Sequence, residues 1–328
     1  MKATAKKRRF PLTPFAKLTP RDEPEYLVGG LIPREGLTLV WGPPKCGKSF
    51  WTLDVALHVA LGQEYRGCEV SAGTVVYCAF EGASGFRKRV EAFRRHYKDK
   101  IKSPTVPFWL MPVRIDLIND HKQLIGDIEK QVDDDMPALV VLDTLNRSLQ
   151  GSENSPDDMG AYVQAADAIR EAFECAVVIV HHSGHDAPRP RGHSSLTAAV
   201  DAQLSVKRSS SVFEVKVEWM KDGEEDATVL SKLEVVPVGE DSNGKPITSC
   251  VVVPALWGPR QEMREKDRKA VELLKEGPLT EREWRTKLKE SGIINPEAKN
   301  PRKAFARIKT DLERRNFIVV RDGMVRGV

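Results

Sequence analysis

One eight-residue run limits what this chain can fold into: Gly42-Pro43-Pro44-Lys45-Cys46-Gly47-Lys48-Ser49, a G-x-x-x-x-G-K-S pattern. An apolar stretch at 37–41 precedes it, and a helical pattern opening at Phe50 follows it to 61. Strand, loop and helix in that order make a phosphate-binding loop. The glycines let successive backbone N–H groups turn inward on an anion, and the positive end of the helix dipole reinforces the concavity. In such a loop residues 42–50 line the nucleotide, Lys48 reaches the β- and γ-phosphates, and Ser49 holds Mg²⁺. The pattern predicts a chain that binds ATP with Mg²⁺.

From Gly36 onward, strand-like runs at 74–80, 106–113, 138–142 and 176–180 alternate with helical segments at 85–98, 120–132 and 157–173. This alternation predicts an α/β domain with a mostly parallel sheet. The runs at 138–142 and 176–180 are apolar at nearly every position, so they belong in the middle of the sheet, buried on both faces. Alternating runs at 202–206, 212–217, 232–238 and 250–255, with turn signals between them, read as an antiparallel extension.

Prolines at 11, 14, 20, 24 and 33 rule out a long helix at the start and suggest an extended lead-in on the edge of the nucleotide domain. The domain boundaries expected are a basic, proline-rich lead-in over 1–33, a nucleotide domain over 34–258 ending in a linker at 257–260, and a small domain over 263–328. That last region shows three helical patterns followed by two short strands around Asp322-Gly323. Thr280 with Glu283 three residues on marks a helix start. Three helices and a β-hairpin are the layout of a winged helix, a helix-turn-helix variant.

A phosphate loop only binds; hydrolysis needs a second carboxylate for the metal and a base for water. Asp143 ends the run 138–142, at the edge where open α/β sheets bind ligands, and is the candidate Mg²⁺-side aspartate. Glu81 ends the run 74–80 and is the candidate general base. His181 and His182 end the run 176–180. Neighbouring strand residues point to opposite faces, so the pair cannot readily share a metal, and one of the two is the candidate sensor of the γ-phosphate.

Composition narrows the setting. The chain is 328 residues long, 41% hydrophobic and 30% charged, with no apolar run approaching the ~20 residues that span a bilayer. Five cysteines lack any C-x-x-C pairing, which fits a reducing, cytoplasmic environment without a disulfide framework. Met1–Arg9 is basic but leads into a proline-broken segment instead of the apolar core of a secretory signal. Charge is unevenly placed: from Arg264 on there are 18 Lys and Arg against 11 Asp and Glu, which points to a polyanion at the C-terminal end.

Taken together, the loop 42–49, Glu81, Asp143 and the strand ending in His181-His182 resemble the RepA-like branch of RecA-fold ATPases, plasmid- and phage-borne relatives of hexameric replicative helicases. The resemblance covers roughly 27–253. It implies a ring, usually of six subunits, with ATP at each subunit interface and single-stranded DNA in the channel. It also implies a basic finger on a hairpin that reaches the neighbouring subunit's phosphate; Lys221 is the candidate, with Lys207, Arg208 and Arg191 ranked below it. The DNA-contacting loops of such rings would here be 144–158, with Arg147, and 184–194, with Arg189 and Arg191. Lys303 and Arg307 on the third C-terminal helix offer a second basic surface for DNA. The activity so implied is a Mg²⁺-dependent ATPase acting on DNA as a helicase or helicase-like replication or mobile-element protein; a DNA-binding regulator whose assembly ATP controls is the alternative.

Overall fold

A computed structural model describes residues 12–19, 25–103, 105–132, 135–184, 189–255, 265–275, 277–294, 301–314, 317–321 and 323–327. The basic cluster of the first nine positions, the linker at 257–260 and the turn residue Asp322 lie outside the described residues. The chain divides into two compact units, one of 1–208 with 213–254 and one of 255–328 with 209–212.

The first unit opens with a 3-10 turn (Phe15–Lys17) and a two-stranded ribbon of β1 (Tyr26–Val28) and β2 (Ile32–Pro33). Its parallel elements follow as β3 (Gly36–Gly42), α1 (Lys48–Leu61), β4 (Thr74–Ala79), α2 (Ala83–His96), β5 (Phe108–Met111), α3 (Leu117–Val132), β6 (Pro137–Asp143), α4 (Leu145–Ser148), α5 (Pro156–Phe173) and β7 (Ala176–His182). After α6 (Ser195–Ala199) come β8 (Ala202–Ser209), β9 (Val212–Met220), β10 (Thr228–Glu240) and β11 (Pro246–Pro254). One nine-stranded sheet results, in the order β11-β10-β9-β8-β3-β7-β6-β4-β5.

The α/β expectation holds, and β3, β7 and β6 occupy the middle as their unbroken apolar runs require. Alternation along these strands builds two cores. Val40, Val141 and Val180 face α1 and α2, whereas Leu39, Leu142 and Ile179 face the side of α3 and α5. Helix α1 is buried nearly all round, in contact with β3, β4 and β6 and also with β11, the edge strand of the same sheet.

Two expectations change. The run beginning at 202 does not join the sheet as an antiparallel extension of β3: β8 pairs parallel with β3, and β10 pairs antiparallel with β11 further out on this flank. The segment before Pro33 is more than an extended lead-in on an edge, since Leu27, Val28, Leu31 and Ile32 are fully buried in the core beside α1. Four such side chains contribute on the order of 6 kcal/mol or more of burial, enough to make the ribbon part of the domain.

The second unit comprises α7 (Glu265–Glu272), β12 (Leu279–Thr280), α8 (Glu281–Glu290), α9 (Pro301–Arg314), β13 (Ile318–Arg321) and β14 (Met324–Gly327), with a three-stranded antiparallel sheet in the order β12-β14-β13. Thr280 and Glu283 form the capping box at the start of α8. Trp284 is fully buried, and its indole N–H donates to the Ala270 carbonyl at 3.0 Å.

Candidate functional site

Register decides which residues meet. Gly42 is paired with His182 across β3 and β7, Asp143 with Val180 across β6 and β7, and Ala79 with Asp143 across β4 and β6. The phosphate loop, His182, Asp143 and, two residues past Ala79, Glu81 therefore all emerge at the C-terminal edge of the parallel strands. This is where an open α/β sheet receives its ligand.

The loop itself needs its glycines. Gly47 has φ +111°, a conformation that a Cβ strains, and it caps α1. Gly42 lies so close to β8 that a Cβ there would stand 2.2 Å from the Val206 carbonyl oxygen. Pro43, Pro44 and Lys45 form the exposed rim, Lys45 with φ +63°, while Cys46 is buried. Burial pushes the Cys46 thiol up from its ordinary value, against the pull of Lys48, so it stays a protonated, unreactive small residue. Lys48 is buried, and its ammonium donates to the Gly42 and Pro43 carbonyls, both at 2.8 Å. Burial lowers its pKa, with Cys46 and Asp143 opposing that shift.

Asp143 is buried, and both its carboxylate oxygens are engaged. Oδ1 accepts from the Ser49 hydroxyl at 3.1 Å and Oδ2 from the Tyr77 hydroxyl at 2.7 Å. Burial raises the Asp143 pKa, while Tyr77, Ser49, Arg89 and Lys48 pull it back. A hydroxyl and a carboxylate set side by side are hard oxygen donors, and among the described residues no cluster of three or more His, Cys, Asp or Glu could form an all-protein cage. That donor set fits Mg²⁺, which takes one or two protein oxygens and completes its octahedron with phosphate and water.

The two histidines part company. His182 Nδ1 lies 3.4 Å from the Lys48 ammonium, which can only donate, so Nδ1 accepts and Nε2 carries the proton. Burial, then Lys48, lowers the pKa of His182 and keeps it neutral. His181, fully buried, points to the other face and donates from Nε2 to the Arg191 carbonyl at 2.9 Å, leaving Nδ1 buried without a partner among the described residues. His182 borders the phosphate loop; His181 anchors the following loop.

Glu81 is half-exposed and accepts from Arg147 at 3.2 Å. Arg191 pairs with Glu153 at 3.0 Å, and Glu153 also accepts from the Asn146 amide, so the loops after β6 and β7 are joined through one carboxylate. Arg189 is exposed beside them. Lys221 stands at the other end of the sheet: its N–H donates to the Asp201 carbonyl, its ammonium pairs with the Asp201 carboxylate at 3.2 Å, and that carboxylate also accepts from the N–H of Leu37. Leu37 and Gly42 are five residues apart on one strand, about 17 Å, so Lys221 is remote from its own chain's phosphate loop. Lys207 and Arg208 lie on β8 just past the Val206 carbonyl that abuts Gly42, and Arg208 acts electrostatically on Cys46.

Sequence reading missed Arg89. Its guanidinium lies 4.2 Å over the ring of Phe50, the residue after Ser49, and 5.0 Å from that of Phe86. Only the E-x₇-R spacing from Glu81 could have hinted at it, and that spacing carries no general meaning.

A family model described as an AAA domain matches residues 4–188. The chain belongs to the AAA domain family. The family match takes in the phosphate loop, Glu81, Asp143 and both histidines, and ends ahead of β8. The structure also resembles in part a solved structure described as the RadB recombinase, at 18% identity and a TM-score of 0.44, over 63% of this chain and 90% of that one. Comparison with curated proteins yields no match. Outside the AAA domain match, Lys303 and Arg307 lie one helical turn apart on α9 and are exposed, whereas Phe305 and Leu312 are buried. Among the described residues no helix is long and apolar enough to cross a membrane.

Proposed function

We propose that this chain is a Mg²⁺-dependent ATPase of the RecA/RepA type that acts on DNA as a ring-forming helicase or helicase-like replication protein. The observation that carries the reading is the convergence of Lys48, Ser49, Asp143, Glu81 and His182 on one sheet edge. Lys48 leaves the Gly42 and Pro43 carbonyls for the β- and γ-phosphates. Ser49 and Asp143 would hold Mg²⁺, which would neutralise phosphate charge when bound. Glu81 orients and deprotonates the attacking water, and neutral His182 donates from Nε2 toward the terminal phosphate.

DNA binding and hydrolysis are coupled through Arg147, whose partner in this structure is Glu81. A DNA phosphate drawing Arg147 away frees the base. Arg189 and Arg191 add backbone contacts on the neighbouring loop. Lys221, remote from its own loop, acts on a neighbour's nucleotide in a ring, the hexamer being the assembly favoured. The C-terminal unit is a winged helix that presents Lys303 and Arg307 to duplex DNA.

The test is ATP turnover with and without single-stranded DNA for wild type, Glu81→Gln and Lys221→Ala, with mass measured in each condition. DNA-stimulated turnover lost in Glu81→Gln supports the motor. Site-specific duplex binding that survives Lys48→Ala, without DNA-stimulated turnover, supports instead the regulator whose assembly ATP controls.

A further inference from the structure

Arg89 is a cation beside the phosphate edge with no part in the nucleotide scheme proposed for Lys48, Ser49, Asp143, Glu81 and His182. Stacked on Phe50 and Phe86, its guanidinium folds back along α2 toward the edge, with Nη2 3.8 Å from the point a Gly85 Cβ would occupy. Nη1 is buried and has no hydrogen-bond partner among the described residues. A buried guanidinium N–H without an acceptor loses its hydration with nothing in return, so a chain that retains one has a use for it. The anions nearby are already taken. Both Asp143 oxygens accept from Ser49 and Tyr77, and Glu81 is paired with Arg147. Arg89 still lies close enough to act electrostatically on both Asp143 and Tyr77. A cation held between rings, next to the metal seat and lacking an anion, is short of a negative group from outside the chain.

We propose that Arg89 is a second, same-chain cation for the triphosphate, donating from its unpartnered Nη1 to a terminal phosphate oxygen of the nucleotide that Lys48 holds. Lys48 and Arg89 then approach that phosphate from α1 and α2 separately, and the rings of Phe50 and Phe86 fix the guanidinium plane at little entropic cost. Loss of the terminal phosphate returns Arg89 to its idle state, so the residue distinguishes triphosphate from diphosphate. The inference rests on the nucleotide reading of the site.

The experiment titrates the full chain, in Mg²⁺, with the non-hydrolysable β,γ-imido analogue of ATP and with ADP, for wild type, Arg89→Ala, Arg89→Lys, Arg89→Gln and Lys48→Ala, with thermal unfolding recorded for each. The expected result is that Arg89→Ala and Arg89→Gln lower the triphosphate-to-diphosphate affinity ratio about tenfold, the size of one charge-assisted hydrogen bond, with Arg89→Lys in between. An unchanged ratio in folded Arg89→Gln and Arg89→Lys, with wild type binding and Lys48→Ala not, overturns the role of Arg89 alone and reduces it to packing. Failure of wild type to bind either nucleotide overturns the nucleotide reading and this inference with it.

Discussion

The Lys48 ammonium and His182 Nδ1 are 3.4 Å apart although 134 residues separate them in the chain, and the neighbouring His181 has no part in the contact. One strand, β7, thus presents a histidine to the phosphate loop from one face and anchors the next loop with the other. The two substitutions should separate cleanly. His182→Asn is expected to lower ATP turnover about 10²-fold with little change in melting temperature, as loss of a phosphate-directed donor does. His181→Ala is expected to cost about 2 kcal/mol in denaturant unfolding through its lost hydrogen bond and cavity. Equal effects from both would contradict the division.

Removing the hydroxyl or the charge beside it should change the metal requirement. Ser49→Ala and Asp143→Asn are expected to leave a folded protein that needs at least tenfold more Mg²⁺ for turnover, and chelation with EDTA should abolish wild-type activity. Titrating activity against free Mg²⁺ is the check; an unshifted midpoint in both variants removes them from the metal seat.

The Glu81–Arg147 pair spans 3.2 Å with both side chains about half-exposed, so solvent screening leaves it little weight in stability. Its effect on rate is the informative one. Arg147→Gln is expected to raise turnover without DNA several-fold and to flatten the response to added single-stranded DNA. Retention of full stimulation by that variant would detach Arg147 from the coupling.

Close approach of backbone to backbone makes Gly42 intolerant. A methyl group 2.2 Å from the Val206 carbonyl oxygen must push β8 away from β3, so Gly42→Ala should cost about 1–3 kcal/mol in urea unfolding and impair nucleotide binding as well. An unfolding midpoint equal to wild type would mean that the strands part at no cost.

Acid should act on α1 through His58. Burial pushes its pKa down to about 4, helped by nearby Arg66 and Lys100, while its ring packs edge-on to Tyr65, Phe93 and Tyr97. With the folded pKa below the unfolded one, its contribution is complete above pH 6.5 and is lost as the pH falls toward 4. Asp54, whose pKa burial raises to about 7 against Arg66, changes stability in the opposite sense over the same range, so the comparison must be with His58→Gln. The stability difference between wild type and His58→Gln is expected to move by about 2 kcal/mol from pH 7 to pH 5, in the direction that disfavours wild type.

How much of this could be read without coordinates differs residue by residue. The phosphate loop was legible because its chemistry is local: two glycines, a lysine and a serine in one turn between a strand and a helix. Asp143 and Glu81 were legible as strand ends, and the α/β class followed from the alternation of apolar runs. The Thr280–Glu283 cap was equally local.

What depended on distant pairing was not legible. The parallel partnership of β8 with β3, the burial of Leu27–Ile32 as core, the choice of His182 over His181 and the capture of Glu81 by Arg147 each hinge on which strand lies beside which. Arg89 was invisible because its meaning comes from Phe50, a residue on another helix. Sequence by itself determined the glycine-bracketed turn between β3 and α1, since a short loop carries its geometry in its own φ angles. Only the tertiary structure decided which other side chains surround it, because register between strands more than a hundred residues apart is set by the packing of whole faces.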